Sequence, residues 1–329
     1  MLHFFVTKRG GHTLKDYLGD WVGNLRGFMA VHFYEDYEWP VAGPGNYVFT
    51  DLERLSEGQL QLAVEYAGRL RDSGVELRIL NSPEKALRRL DLLREMNQCG
   101  INRFRAFRLR DLPEGFRFPG FLRMGRDHKG AASQLLENRD ELLSASNKIL
   151  AGGADVEDIL AVEFCDTLSP DGFYRKYSYF RIADAIIPAH IIFSKNWVAK
   201  DGALNAEQVA EEDRFHSECP HAEWARNIFE KAGIDYGRID FSLCPDGAPQ
   251  VWEINTNPVL LSARAKYRKQ TPLEMPRKEL LALQLADAWK SLFPKHAGFP
   301  PAADPASASL WGNELFLTIR NFFRMRKGS

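Results

Sequence analysis

Two carboxylates stand on the arms of one short segment, RIDFSLCPDGAPQVWEIN, at residues 238–255. The Asp-Gly pair at 246–247 is a strong signal for a two-residue turn between strands. With that turn, Asp240 lies directly opposite Glu253. Carboxylates about 5 Å apart repel each other by roughly 3 kcal/mol at an effective dielectric of 20. Because a cation between them offsets this repulsion, the spacing predicts a metal site on the hairpin.

Two further polar residues share that face of the hairpin. The same register places Arg238 opposite Asn255, and alternation turns both toward the carboxylates. Oxygen ligands with an open coordination sphere suit Mg²⁺, and Asn255 adds a neutral oxygen. Arg238 would then hold an anion beside the metal. An exposed hairpin with ordinary surface carboxylates is the alternative, which the spacing alone leaves open.

The turn also has an alternative geometry. Pro245-Asp246-Gly247 can form a type I turn with a glycine bulge, which shifts the pairing by one residue. Asp240 would then face Trp252 unless a second irregularity restored the cluster. In either case the apolar residues between the polar ones predict that the opposite face is buried: Ile239, Phe241, Trp252 and Ile254.

Composition excludes some classes of protein. The chain has 329 residues, 45% of them hydrophobic, with 43 Lys plus Arg against 44 Asp plus Glu. This near-neutral balance argues against a nucleic-acid binder. Four scattered cysteines without a CxxC pair indicate a reducing compartment. With neither a signal-peptide pattern nor an eighteen-residue apolar run, we expect a soluble cytoplasmic protein without a transmembrane segment.

Periodicity indicates the elements that position the hairpin. Strand, helix and strand signals follow each other in the first eighty residues and predict a parallel βαβ unit. A helix is expected at 83–100, beginning with Pro83, and antiparallel strands at 174–195. The polar stretch 196–215 reads as a mobile loop. A helix is predicted at 277–293.

The segment YGRIDFSLCPDGAPQVWEINTNP (236–258) resembles the signature of the ATP-grasp enzymes, especially D-alanine–D-alanine ligases and glutathione synthetase-like proteins. Gly-Arg-x-Asp followed by Glu-x-Asn-Thr-x-Pro carries the resemblance. It implies an α/β and α+β protein, in which two α+β subdomains grip ATP after a small α/β pre-grasp domain. The implied boundaries are 1–82 for the pre-grasp domain, 83–165 and 166–293 for the two subdomains, and 294–329 for a linker and an amphipathic helix.

The resemblance implies a role for each hairpin residue. Asp240 and Glu253 would bind Mg²⁺, with Glu253 bridging two ions and Asn255 holding the second. Mn²⁺ is an alternative ion. Arg238 would be catalytic and stabilise negative charge that develops at the reacting group, as preorganised cations do in phosphoryl transfer.

The resemblance also implies ATP-binding residues upstream. In LAVEFCD (160–166), backbone groups of Glu163, Phe164 and Cys165 would contact the adenine edge, and Asp166 would reach the ribose. The loop FPGFLRMGRDHKGAAS (118–133) would cover the phosphates, with small residues that let backbone N–H groups approach an anion. The remaining phosphate or substrate contacts would come from Arg123, Lys129, Gly130 and Lys176.

Two positions depart from the family pattern. Arg123 stands where a lysine is usual, and arginine binds phosphate bidentately. A second lysine is absent near Leu92, and three arginines are candidates to replace it: Arg88, Arg89 and Arg94.

The resemblance implies an ATP- and Mg-dependent ligase. A carboxylate would be activated as an acyl phosphate and captured by an amine or other nucleophile, with release of ADP and phosphate. A kinase acting on a hydroxyl and a non-catalytic nucleotide-binding protein are the alternatives. The partners would be small molecules. The basic segment 313–327 is expected to pack on its own domain, with contact to a membrane surface or partner as the alternative.

Overall fold

The first sheet is fully parallel and opens the chain. The structure, a computed structural model, describes residues 1–199 and 204–293. The strand order is β2-β1-β3-β4, and the helix α1 connects β3 to β4 as predicted, with Ser56 and Gln59 forming a capping box at its start. The elements are β1 (Leu2–Val6), β2 (Met29–Phe33), β3 (Gly45–Phe49), α1 (Glu57–Asp72) and β4 (Leu77–Leu80).

A second, three-stranded sheet has the antiparallel order β5-β7-β6. Its strand β6 leads into the loop that contains Gly130, and β7 leads into the segment proposed from sequence to hold adenine. The elements of this part are α2 (Arg89–Gln98), β5 (Ala106–Arg108), β6 (Gly120–Met124), α3 (Arg139–Ala151) and β7 (Ile159–Glu163).

The third sheet is antiparallel, with order β11-β10-β8-β9, and contains the hairpin. Its apolar face packs on α4 and α5, and the opposite face carries the polar residues. The elements are β8 (Tyr174–Ile182), β9 (Ala185–Ser194), α4 (Ala206–Glu218), α5 (Ala222–Lys231), β10 (Tyr236–Leu243), β11 (Pro249–Asn255), α6 (Arg264–Gln270) and α7 (Met275–Lys290).

One hydrophobic cluster joins the first and last parts of the chain. Leu2 and Phe4 of β1 pack with Phe180 of β8 and Trp289 of α7, all of them buried. The ring of Phe4 lies 5.4 Å from that of Tyr236, edge to face. The parallel sheet and the third sheet therefore share a core, and α7 closes it.

Two expectations about the elements are wrong. The helix predicted from Pro83 begins at Arg89, because the Leu87 N–H donates to the Ala232 carbonyl at 2.8 Å and holds the preceding residues as a turn. The stretch predicted as a mobile loop at 196–215 contains most of α4, which Asn205 caps with a side-chain hydrogen bond to the Gln208 N–H.

The predicted fold class is confirmed by the sheet topology: a parallel α/β unit precedes two antiparallel α+β units. The domain boundaries stay predictions. The segment 294–329, to which the sequence assigned a linker and a helix at 313–327, lies outside the described residues. Within the described ranges, no helix has the length and apolar character needed to cross a bilayer.

Candidate active site

The hairpin pairs Asp240 with Glu253 and Arg238 with Asn255, as predicted. The turn has the alternative geometry, with a glycine bulge. Cys244 pairs with Ala248 around a three-residue turn in which Gly247 has φ +83°, so the two-residue turn is wrong. A second bulge follows between Asp240 and Phe241 and restores the pairing of the two carboxylates.

The second bulge moves Trp252 out of the apolar face. The expectation that this face includes Trp252 is wrong, whereas Ile239, Phe241 and Ile254 do pack there. The Trp252 indole N–H donates to Ser242 Oγ at 2.8 Å, and the ring stacks on Phe104 at 5.0 Å. Trp252 thereby lines the cleft between the second and third sheets.

Asp240 is buried among hydrogen-bond donors. Its Oδ1 accepts from Ser178 Oγ and Arg238 Nε, both at 2.9 Å. Its Oδ2 lies 3.1 Å from Lys176 Nζ. Burial raises the pKa of Asp240, but the charges of Arg238 and Lys176 outweigh it and hold that pKa well below the ordinary value. Asp240 is therefore ionised at neutral pH, and Lys176 faces the cleft as proposed.

Glu253 binds two arginines from the second part of the chain. Arg89 of α2 and Arg123 of β6 each donate through Nη2 to its Oε2 at 2.6 Å. Burial raises the pKa of Glu253, but the charges of these two arginines bring it well below the ordinary value. Burial and the neighbouring Arg89 charge lower the pKa of Arg123 to about 10, so the guanidinium stays protonated at neutral pH.

The structure separates the three arginines that were candidates to replace the missing lysine. Arg89 is buried behind Glu253, to which it donates, and it also donates to the carbonyls of Met124 and Gly125. Arg88 instead pairs with Glu57 at 2.8 Å on the surface. Arg94 is half-buried elsewhere on α2 and does not line the cleft.

The first part of the chain reaches this site through Glu53. His128 Nδ1 accepts from Arg89 Nη2 at 2.8 Å, so its Nε2 carries the proton and donates to Glu53 Oε1 at 2.7 Å. Thr256 Oγ1 donates to Glu53 Oε2 at 2.6 Å. These hydrogen bonds outweigh burial and hold the pKa of Glu53 at about 2. Sequence analysis did not identify Glu53 or His128.

The loop after β6 forms one edge of the cleft. Lys129 and Gly130 both line the cavity, and Gly130 has φ +88°, a conformation that favours glycine. The Lys129 N–H donates to Asp127 Oδ1 at 3.0 Å, which turns the loop back on itself. Lys129 is exposed, so its ammonium is accessible from solvent.

The segment proposed for adenine contact is only partly available. The N–H groups of Glu163 and Phe164 already donate to the carbonyls of Arg105 and Pro119. The structure therefore does not offer those two N–H groups to a ring edge. Cys165 lines the cavity, whereas Asp166 is exposed and accepts from the Leu168 N–H at 3.0 Å.

The Glu163 side chain fixes this segment from behind. Its carboxylate is 1% exposed and accepts from the guanidinium groups of Arg105 and Arg117. Burial raises the pKa of Glu163, but these bonds outweigh it and lower the pKa to about 2. Glu163 is thus a positioning residue for the segment that follows β7.

Aromatic rings form the wall of a cavity of about 210 Å³. Trp197 lies 4.9 Å from Phe121 and 5.8 Å from Phe164, centroid to centroid. Tyr174 and Trp252 line the same space. A flat aromatic ligand suits such walls, and three cationic side chains line the same cavity: Arg123, Lys129 and Lys176.

The oxygen atoms of the hairpin side chains are of the kind that a hard cation prefers as ligands. Asp240 and Glu253 are ionised and face each other, and Asn255 supplies an amide oxygen that accepts from the Asn257 N–H at 2.8 Å. Across residues 1–199 and 204–293, no three His, Cys, Asp or Glu side chains form a ready metal site. The predicted set contains two carboxylates and one amide, and it stays a prediction.

The solved structures that resemble this chain include three ligases. An L-amino acid ligase from Bacillus licheniformis matches 78% of this chain and 66% of its own, at 13% identity and a TM-score of 0.39. The VanG D-Ala:D-Ser ligase from Enterococcus faecalis matches 88% and 98%, at 13% identity and 0.48. The D-alanine-D-alanine ligase from Coxiella burnetii matches 88% and 96%, at 12% identity and 0.48.

At this level the similarity concerns overall shape, and no residue role follows from it. No protein-family model matches the sequence, and no curated protein matches it. The geometry of the cleft is therefore the basis for a function.

Proposed function

We propose that this protein is an ATP-dependent ligase that activates a carboxylic acid. The observation that carries the proposal is the opposed pair Asp240 and Glu253, ionised and buried at the cationic end of an aromatic-walled cleft. Four cations contact these two carboxylates within the described part of the chain: Arg89, Arg123, Lys176 and Arg238.

The charge of the cleft fits a nucleotide polyphosphate. The cations exceed the two hairpin carboxylates, and Glu53 is occupied by His128 and Thr256. Arginine and lysine neutralise phosphate oxygens, and arginine does so bidentately. The aromatic walls accept the base, while Lys129 and the loop around Gly130 stand over the polar end.

Each group of residues would have its own role in the reaction. Mg²⁺, when bound by Asp240, Glu253 and Asn255, would neutralise charge on the phosphates. Arg123 and Lys176 would orient the phosphates, and Arg89 would hold Glu253 in place. Arg238 would stabilise the charge that develops as a substrate carboxylate oxygen attacks the γ-phosphorus and the bond to ADP breaks. A nucleophile would then attack the acyl carbon and displace phosphate.

Phosphorus NMR of Mg-ATP, incubated with the protein, hydroxylamine and a small-metabolite extract, tests the proposal. Hydroxylamine captures an acyl phosphate as a hydroxamate, so the expected products are ADP, free phosphate and hydroxamate. A new phosphoester signal would indicate the kinase instead. ADP binding without turnover in every mixture would contradict the ligase.

The hairpin itself supplies a matched control. Asp240→Asn should lower turnover by about 100-fold or more, since it removes a charge from the centre of the site. Asp246 is at the exposed turn, where it pairs with Arg103 at 2.5 Å and accepts from the Ala248 N–H at 3.2 Å, so Asp246→Asn should leave turnover unchanged. Equal rates in the two variants would refute the assignment of Asp240.

A further inference from the structure

A second cavity lies on the same face of the third sheet and meets the first at one ion pair. Its volume is about 260 Å³. Arg238 lines this cavity, and Asp240, to which Arg238 donates at 2.9 Å, lines the first. A molecule in the second cavity would therefore have one end at the Arg238–Asp240 pair, next to the phosphates of a nucleotide bound in the first cavity.

The second cavity has apolar walls. β9 contributes Ala189 and Ile192, and the segment after β11 contributes Leu260 and Leu261, all of them buried. The ring of Tyr267 lies on the same lining. The aliphatic side chains among them cannot hydrogen-bond to a ligand, so they select an apolar body by shape and by removal of water.

The charged groups of the cavity favour an anion. Three cations and two carboxylates line it: Arg238, Lys266, Lys278, Glu212 and Glu274. Both carboxylates already have cationic partners, since Lys278 lies 3.2 Å from Glu274 and Arg277 lies 2.7 Å from Glu212. Arg238 is likewise paired with Asp240, but the lining as a whole has three cations against two carboxylates, and this net positive charge favours a carboxylate over an ammonium group.

His190 does not change this balance. It lines the second cavity, with Ser178 Oγ at 3.3 Å from its Nε2. Burial and the neighbouring charges of Arg238 and Lys278 hold its pKa well below the ordinary value, so the imidazole is neutral at physiological pH. Thr271 Oγ1 is buried on the same lining without a hydrogen-bond partner in the described residues.

We infer that the second cavity binds the carboxylic acid that is activated, and that this acid has an apolar body with its carboxylate at Arg238. The inference rests on the proposed function and adds the substrate class. The carboxylate lies at the Arg238–Asp240 junction, next to the phosphate end of the first cavity. The apolar body extends away from the nucleotide between β9 and the segment after β11.

Saturation-transfer NMR in the presence of Mg-ADP tests this inference. Phenylacetate and hexanoate should bind, whereas phenethylamine and hexylamine, which carry the opposite charge on similar bodies, should not. The exposed Val259 stands at the cavity, so Val259→Trp should weaken phenylacetate binding by about tenfold or more. Val156→Trp, at an equally exposed valine outside both cavities, is the control.

Three results would overturn the inference: equal binding of the acids and amines, unchanged binding in Val259→Trp, or no binding of either acid at millimolar concentration. The proposed function is tested separately by Mg-ADP affinity and by the rates of Asp240→Asn and Asp246→Asn. If those behave as expected while the acids fail, only the substrate assignment is wrong.

Discussion

Arg238 stands at the boundary between the two cavities, and its contribution should appear in rate rather than in nucleotide affinity. It pairs with Asp240 and lines the second cavity, not the aromatic-walled one. Arg238→Ala should therefore lower kcat by about 100-fold while it changes Mg-ADP affinity by less than about threefold. Steady-state rates with hydroxylamine and a direct ADP titration separate the two quantities.

Arg238→Lys is the informative companion variant. Lysine keeps the charge but loses the planar fork that contacts both Asp240 oxygens. It should recover only part of the rate. A loss confined to ADP affinity in either variant would remove Arg238 from the reacting centre.

Arg89 and its neighbour Arg88 provide a second comparison at single residues. Arg89 is buried against Glu253, whereas Arg88 pairs with Glu57 at the surface. Arg89→Gln should weaken Mg-ADP binding by about tenfold or more, because a charge-assisted hydrogen bond contributes about 1.5–3 kcal/mol. Arg88→Gln should have little effect. The same titration on both variants measures the difference, and equal losses would contradict a role for Arg89 in holding Glu253 at the nucleotide site.

At the scale of elements, the anchor of β7 is Glu163. Glu163→Gln should destabilise the protein by about 2–3 kcal/mol. This is somewhat less than the cost of breaking a fully buried ion pair, because Arg117 is 60% exposed. Glu157→Gln, in the exposed pair with Arg108 and Arg110, should cost less than about 1 kcal/mol. Urea denaturation of both variants measures the difference.

The Glu163 contribution also has a defined dependence on pH. Its pKa falls from 4.5 to about 2 on folding, so its stabilisation is complete above about pH 4.5 and is lost as the pH falls toward 2. The stability difference between wild type and Glu163→Gln should therefore shrink over that interval. A difference that stays constant with pH would mean that hydrogen-bond geometry, rather than charge, anchors the strand.

The hairpin shows how far the sequence predicts an element and where it stops. The alternation of polar and apolar residues predicted the opposed carboxylates, because side-chain direction has a period of two. It did not locate the second bulge, which moves Trp252 into the cleft. A bulge depends on contacts with other segments, here Phe104 and Ser242, and a single strand does not encode them.

The same reason explains which residues of the site were found. The hairpin residues are adjacent in sequence and form a recognisable pattern. Arg89 is 164 positions from Glu253, and Glu53 is 75 positions from His128. Such pairs meet only through the packing of separate units, so Arg89 was one of three candidates and the other two residues were missed.

At the scale of the whole molecule, Asn81 joins the first and third sheets. Its backbone has φ +54°, and its side chain is buried. The side-chain amide donates to the carbonyls of Phe49 and Tyr236 and accepts from the N–H groups of Asp235 and Tyr236. Asn81→Ala should cost about 3–5 kcal/mol, because it leaves several buried backbone groups without partners.

Asn138→Ala is the control for that variant. Asn138 caps α3 at the surface, and its loss should cost about 1 kcal/mol. Urea midpoints with an unchanged m-value report both costs. An Asn81 variant as stable as the Asn138 variant would mean that the shared hydrophobic cluster alone holds the two sheets together.

The aromatic wall of the first cavity has a practical consequence for spectroscopy. The protein has seven tryptophans, and Trp197 and Trp252 both line the cleft. A base that stacks against either indole would quench its emission, so the protein carries an intrinsic fluorescent reporter. Substituting each of these tryptophans with phenylalanine in turn would identify the source of the signal, and nucleotide affinities could then be compared across variants without any label.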